Sequence, residues 1–304
     1  MVGPTAAGKS ALAMALAERL DGEIVAADSV QIYRGLDVGS AKPTAAERAR
    51  VPHHGLDLLD PREQSDAGRW LAAAEAALAD IAARGRRAIV CGGTGLYVRA
   101  LLDGLAATPA VPEAVRAEVD ALLADGGPAR AHAALAAVDA GAAARIAPRD
   151  AQRIGRALAV YRATGRPLSA WQAEHAEARR ARAADRAPAR ILALWPDRPT
   201  LYARVDARAT AMVAAGLLAE TRALLAGGVP TDAPGLACLG YREARAVLAG
   251  EAPEDGLAER VALGHRRYAK RQLTWFRRLV AEDARAVHLD PSALDVLERA
   301  LALA

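Results

Sequence analysis

The chain has 304 residues, of which 53% are hydrophobic and 25% charged, and its formal net charge is +4. This length suits one main domain with a smaller attachment, and the charge density, with no apolar run near the ~20 residues of a spanning helix, excludes a membrane protein. Two cysteines, Cys91 and Cys238, exclude a disulfide scaffold and a cysteine-built zinc site.

In chain order, Gly3 to Ser10 opens an alanine-rich amphipathic helix reaching about Leu20. Gly22 to Ala27 reads as a strand ending at Asp28, and Leu56 to Leu59 as a short strand. Trp70 to Arg84 is helical with Gly85 as its stop. Arg87 to Cys91 is a buried strand, followed by Gly92-Gly93-Thr94-Gly95 and a helix through Leu102. Strands alternating with helices predict a parallel sheet. From Pro112 to Pro188 the pattern is helical only: Glu113–Ala124, Ala129–Val138, Asp150–Thr164 and Ser169–Ala184. Arg190 to Leu194 is a returning strand, and helices follow to the end. The 80 alanines and single phenylalanine, Phe276, predict a helix-rich core of small side chains.

Gly3, Pro4, Thr5, Ala6, Ala7, Gly8, Lys9 and Ser10 match G-x-x-x-x-G-K-S, the phosphate loop. Its N–H groups and the helix N-terminus form an anion cradle; Lys9 reaches terminal phosphates and the Ser10 hydroxyl holds Mg²⁺. The predicted fold class is therefore α/β, a P-loop NTPase-like parallel sheet core (1–112 and 188–304) with an all-helical insertion domain (113–187). Only Met1-Val2 precede the loop, where a central strand needs about five residues. The first strand is expected to be truncated and the true start to lie upstream.

Ligands of open α/β sheets sit at the carboxyl ends of the strands, which places Asp28 beside the phosphate loop. A carboxylate there can take a proton from a nucleophile or hold Mg²⁺ through water. Thr94 follows the other buried strand and can donate to a leaving diphosphate. One predicted helix carries Arg260, Arg266, Arg267, Lys270, Arg271, Arg277 and Arg278, and a second cluster runs Arg145, Arg149, Arg153, Arg156, Arg162. Interleaved with Gln152, Gln272, Tyr241 and Trp275, they suit an RNA backbone and an unstacked base. His53-His54 lacks the spacing of a metal site. Three lysines, Lys9, Lys42 and Lys270, stand against 37 arginines: they are candidates for positions that need a compact ammonium, against the plain alternative of chance, and no role for Lys42 follows from the sequence.

In this order the motifs resemble the tRNA dimethylallyltransferases, the isopentenyl-tRNA transferases of bacteria. The matching pieces are the phosphate loop, Asp28 to Pro43, Pro52-His-His, Gly92 to Tyr97, Gln152 to Leu158, Leu239 to Arg242 and Lys270 to Arg277. The resemblance implies transfer of a dimethylallyl group from dimethylallyl diphosphate to N6 of the adenine 3′ of the anticodon, in tRNAs reading codons that begin with U. It implies Asp28 as general base and Thr94 as a catalytic hydrogen-bond donor. It implies tRNA contacts from Asp28, Ser29, Val30, Gln31, Thr94, Arg116, Gln152, Arg153, Ile154, Gly155, Arg156, Gly240, Tyr241, Arg242, Lys270, Arg271, Gln272, Leu273, Thr274, Trp275, Phe276 and Arg277. The expected partners are the tRNA anticodon stem-loop and dimethylallyl diphosphate, with Mg²⁺ as cofactor, in a cytoplasmic monomer. Gln64 to Trp70 matches the family poorly and receives no role. A small-molecule phosphate-loop kinase would share Gly3–Ser10 and the aspartate, but would need no RNA-sized basic surface.

Overall fold

Among the described residues, five short strands and thirteen α-helices form. The structure, a computed structural model, describes residues 1–181 and 189–304. In order the elements are α1 (Lys9–Arg19), β1 (Gly22–Ala27), α2 (Ala45–Arg50), β2 (His53–His54), α3 (Ala67–Ala83), β3 (Arg87–Gly92), α4 (Gly95–Asp103), α5 (Glu113–Val138), α6 (Ala140–Ala143), α7 (Ala151–Thr164), α8 (Leu168–Ala181), β4 (Ile191–Leu194), α9 (Arg198–Ala214), α10 (Leu217–Ala226), α11 (Tyr241–Leu248), α12 (Leu257–Glu282), β5 (Ala286–Leu289) and α13 (Val296–Leu303). Two compact units result: Met1–Leu102 with Pro188–Ala304, and Asp103–Ala187.

All strand pairs of the first unit are parallel. β1 lies between β2 and β3, with Gly22 opposite Arg87 and Ala27 opposite Gly92, while β4 pairs with β5 from Ile191–Ala286 to Leu194–Leu289. Val2 joins the two groups by bridging Gly92 and Ala193. Its N–H donates to Leu192 O and its carbonyl accepts from Leu194 N, both at 2.8 Å. Val2 thus lies between β3 and β4 just ahead of the phosphate loop. Beside it lies a pocket of about 310 Å³, partly open to solvent and lined by Leu16, Ile89, Val90, Val98, Leu102 and Ile191 among others.

Two strand expectations are corrected. Leu56–Leu59 contributes only the bridge of Leu59 to Tyr33, and the edge strand is His53–His54 instead. Gly55 and Asp57 adopt positive φ (78° and 56°) and turn the chain out of the sheet. His54 Nε2 meets Glu23 Oε2 at 2.6 Å, a buried carboxylate also bonded by Arg84 and Arg86, so this histidine serves the sheet. β5 falls where only helices were expected: a four-residue Ala-Val-His-Leu run becomes a strand because β4 offers a free edge.

With few aromatics, the core depends on their placement. Trp70 is fully buried, stacks on Tyr97 at 4.6 Å between ring centroids, and donates its indole N–H to Ala26 O at 2.8 Å. The Gln64–Trp70 segment has a structural part, since Asp66 caps α3 by accepting from Arg69 N at 2.9 Å.

The second unit contains only helices among its described residues. α5 breaks at Gly127 (φ 67°) ahead of Pro128, dividing it where the Asp-Gly-Gly-Pro run predicts. α5 packs on α7 around Val119, Leu135, Ile154 and Leu158. Gly155 permits the approach: a Cβ there would sit 3.1 Å from Leu123. The end of the expected helix Ser169–Ala184 and the expected boundary at 187–188 lie outside the described residues.

Candidate active site

The phosphate loop leaves the sheet at Val2 under tight steric demands. Gly3 (φ 150°) passes so close to β4 that a Cβ would fall 2.1 Å from Leu194 O. Gly8 (φ 87°) then caps α1 without any side-chain hydrogen bond, so the first N–H groups of the helix stay open to an anion. Lys9 Nζ lies on Pro4 O at 2.7 Å. Burial lowers its pKa to about 8; Arg208 adds to this, while Cys91 and Asp28 oppose it. Ser10 is exposed on the first turn.

Asp28 sits just past the end of β1. Its Oδ1 accepts from Val30 N at 2.8 Å and Gln31 N at 3.4 Å, an Asx-type turn that fixes the carboxylate. Thr94, just past the end of β3, accepts from Ser29 N at 3.0 Å through Oγ1. One hydrogen bond therefore ties the turn after Asp28 to the Gly-Gly-Thr-Gly loop. Gln272 of α12 ties that loop to the phosphate loop, donating to Gly93 O and accepting from Thr5 N, both at 2.8 Å. Tyr268, one turn earlier on α12, places its hydroxyl beside Thr94 and Gln272. Burial and the charge of Asp28 push that hydroxyl up to about 12, so it remains a proton donor at neutral pH.

Arg208 of α9 was not foreseen from the sequence. Its guanidinium donates to Ser40 O at 3.2 Å, and its Nε is sealed from solvent without a partner. Burial lowers its pKa, and the charge of Asp28 counteracts this. The same guanidinium acts on Lys9 and on His265, whose pKa burial and Arg208 lower to about 4. Lys9, Arg208 and the open N–H groups around one carboxylate form a site for a polyanion with a base beside it.

The IPP transferase family model matches residues 31–279 of this chain, and the isopentenyl transferase model matches residues 1–53. The chain belongs to the IPP transferase family.

A tRNA dimethylallyltransferase of Anaeromyxobacter dehalogenans (strain 2CP-C) is 52% identical, over 97% of this chain and 96% of that protein. The crystal structure of the tRNA isopentenylpyrophosphate transferase of Bacillus halodurans superposes with a TM-score of 0.69 at 33% identity, over 99% and 93% of the two chains. A eukaryotic dimethylallyltransferase captured acting on tRNA gives 0.80 at 25% identity, over 99% and 76%. The IPP transferase described here is thus a prenyltransferase enzyme built on the P-loop NTPase-like fold.

The residues expected to meet RNA in this transferase divide by exposure. On α12, Lys270, Arg271, Thr274 and Arg277 are exposed. Gln272, Leu273 and Phe276 are buried, and Trp275 packs so closely on the start of α4 that a Cβ on Gly95 would lie 2.8 Å from its ring. A helix turns 100° per residue, so a contiguous motif cannot present every side chain to one partner. Tyr241 is also corrected from surface to interior. Its hydroxyl donates to Glu220 at 2.5 Å and accepts from Gly39 N at 3.0 Å. Arg242 beside it is exposed and paired with Glu243, and Gly240 (φ 89°) starts α11. On α7, Gln152, Arg153 and Arg156 are exposed while Ile154 and Gly155 pack inward. Arg116 is exposed beside Glu113 at 3.8 Å.

No cluster of three His, Cys, Asp or Glu side chains that could hold a metal occurs among the described residues. Exposed Ser10 with Asp28 nearby fits a metal that keeps most of its coordination in phosphate oxygens and water, the habit of Mg²⁺. No single helix among the described residues is long and apolar enough to cross a membrane.

Proposed function

We propose that this chain transfers the dimethylallyl group of dimethylallyl diphosphate to N6 of the adenine 3′ of the anticodon, in tRNAs reading codons that begin with U, and releases diphosphate. It would do so as a cytoplasmic monomer. The observation that carries the reading is the double tie of Thr94 to Ser29 and of Gln272 to both Thr5 and Gly93, which gathers base, donor and anion cradle on one rim.

An exocyclic adenine amine is a weak nucleophile, because its lone pair is delocalised into the ring. The allyl carbon must therefore be activated. Stretching its bond to oxygen develops an allyl cation stabilised by resonance, while the electron pair leaves with the diphosphate. Lys9, Arg208 and the phosphate-loop N–H groups meet that growing negative charge, and the Thr94 hydroxyl adds a donor. Ser10 would hold Mg²⁺, which would supply neutralisation of part of the leaving charge. The new carbon–nitrogen bond forms as Asp28 accepts the amine proton. A base in an anticodon loop leaves its stack for about a few kcal/mol, which permits entry to such a site. Lys270, Arg271 and Arg277 on the first unit, and Arg116, Gln152, Arg153 and Arg156 on the second, suit the phosphates of a stem-loop.

The test is transfer of label. Purified protein is given unmodified tRNA with dimethylallyl diphosphate labelled in the allyl group, and in parallel labelled ATP with small alcohols. Label entering tRNA is the expected result. Phosphate appearing on a small alcohol would make this a kinase and end the reading.

A further inference from the structure

We propose that Lys42 is a positioning residue for the turn that carries Asp28, its buried ammonium locking together the two loop segments that back this turn. The inference rests on Asp28 being the base of the proposed reaction.

The Asp28 carboxylate is aimed by the backbone of Val30 and Gln31. That backbone is in turn held from behind by two segments. Asp57 N donates to Gln31 O at 3.3 Å and Leu59 N to Ile32 O at 2.9 Å. The side-chain Nε2 of Gln31 donates to Ser40 O and Ala41 O at 3.3 and 3.2 Å, so the second segment holds this turn through the Gln31 side chain. Lys42 joins these pieces at one atom. Its Nζ donates to Tyr33 O at 2.7 Å, Asp37 Oδ1 at 2.6 Å and Asp57 Oδ1 at 2.7 Å, and its side chain is 1% exposed. Three donors meet three acceptors, and nothing of the ammonium is left over. Asp57 is held in the left-handed region (φ 56°) with its second oxygen on Arg48 at 3.1 Å, so the knot fixes a conformation the free chain avoids.

The residue type supports this. Arginine stands at 37 of the 40 basic positions, yet this one is lysine. An ammonium points three N–H groups from a single atom. A guanidinium spreads five over a plane, and in a space closed to water the surplus would find no acceptor.

The experiment compares Lys42→Met, Lys42→Arg, Asp37→Ala and Asp37→Asn in the full chain, with allyl transfer to unmodified tRNA assayed beside calorimetric binding of inorganic diphosphate. Wild type is measured first: no transfer to tRNA there defeats the functional reading, not the positioning argument alone. With wild type active, both Lys42 variants are expected to lose about 10- to 100-fold in kcat, the cost of misplacing a reacting group by about 1 Å. Diphosphate affinity should fall far less than kcat, because the knot makes no bond to the phosphate loop and reaches the anion cradle only through the Ser40 carbonyl that accepts from Arg208. Lys42→Arg keeping the wild-type kcat would overturn the proposal, as would diphosphate affinity falling in step with kcat. Should neither Lys42 variant fold, Asp37 decides, since its side chain is 59% exposed. Asp37→Ala should lower kcat several-fold and Asp37→Asn recover most of it; an unchanged kcat in Asp37→Ala overturns the inference.

Discussion

Asp28 and Lys9 carry opposite charges into one site, and each has its own test. Replacing Asp28 by alanine removes the proton acceptor and leaves the basic surface intact. Turnover is expected to fall ~10²–10⁴-fold with tRNA affinity little changed, measured by single-turnover transfer and by filter binding. Lys9 titrates near pH 8 in the free protein, because burial disfavours its charge. A bound diphosphate favours the charged form and raises that pKa. Affinity for diphosphate should therefore be full below about pH 8 and fall as pH rises above it. Calorimetry at pH 9 in two buffers of different ionisation heat should detect proton uptake on binding, and the Lys9→Met variant should lack that uptake. These two residues were legible in the sequence because Lys9 stands in a phosphate-loop motif ahead of a predicted helix and Asp28 in a short motif at the end of a predicted strand. Arg208 was not: it lies inside an arginine-rich helix, and only burial and an unpartnered Nε distinguish it from its neighbours. Gln272 was assigned to RNA because its link to Thr5 spans 267 residues and leaves no local trace.

At the scale of elements, α12 divides its work by face. Gln272 holds the catalytic loops from the buried side, while Lys270, Arg271 and Arg277 face solvent. Arg266 is bonded to Asp206 at 2.7 Å and Arg278 to Glu282 at 2.7 Å, so part of the basic stripe is already neutralised. Lys270→Ala should weaken tRNA binding across sequences and reduce the slope of log affinity against log salt by about one. Unchanged salt dependence would remove Lys270 from the interface. β1 offers a second test. Burial would raise the Glu23 carboxyl, but hydrogen bonds from His54, Arg84 and Arg86 win and hold it at about 2 instead of the usual 4.5. The folded state therefore binds fewer protons than the unfolded one between these values. The stabilisation from this carboxylate is complete above about pH 4.5 and is lost as pH falls towards 2. Acid titrations followed by circular dichroism should show a shallower loss of stability between those limits in Glu23→Gln. The strand and helix periods made β1, β3 and α7 readable. β2 and β5 were not: β2 has only two residues, and the Ala-Val-His-Leu of β5 lacks the unbroken apolar run that marked the equally short β4.

For the whole molecule, the alternation of strands and helices and the helical stretch after it predicted the parallel core and a helical unit. The same pattern could not reveal that Val2 bridges both β3 and β4, since that depends on those strands lying on either side of it. The pocket beside Val2 has a mechanical consequence. It is partly open to solvent, so apolar walls at the point where the phosphate loop leaves the sheet stay in contact with water and add little to the burial that joins the two groups of strands. The backbone bonds of Val2 to Leu192 and Leu194 carry that junction instead.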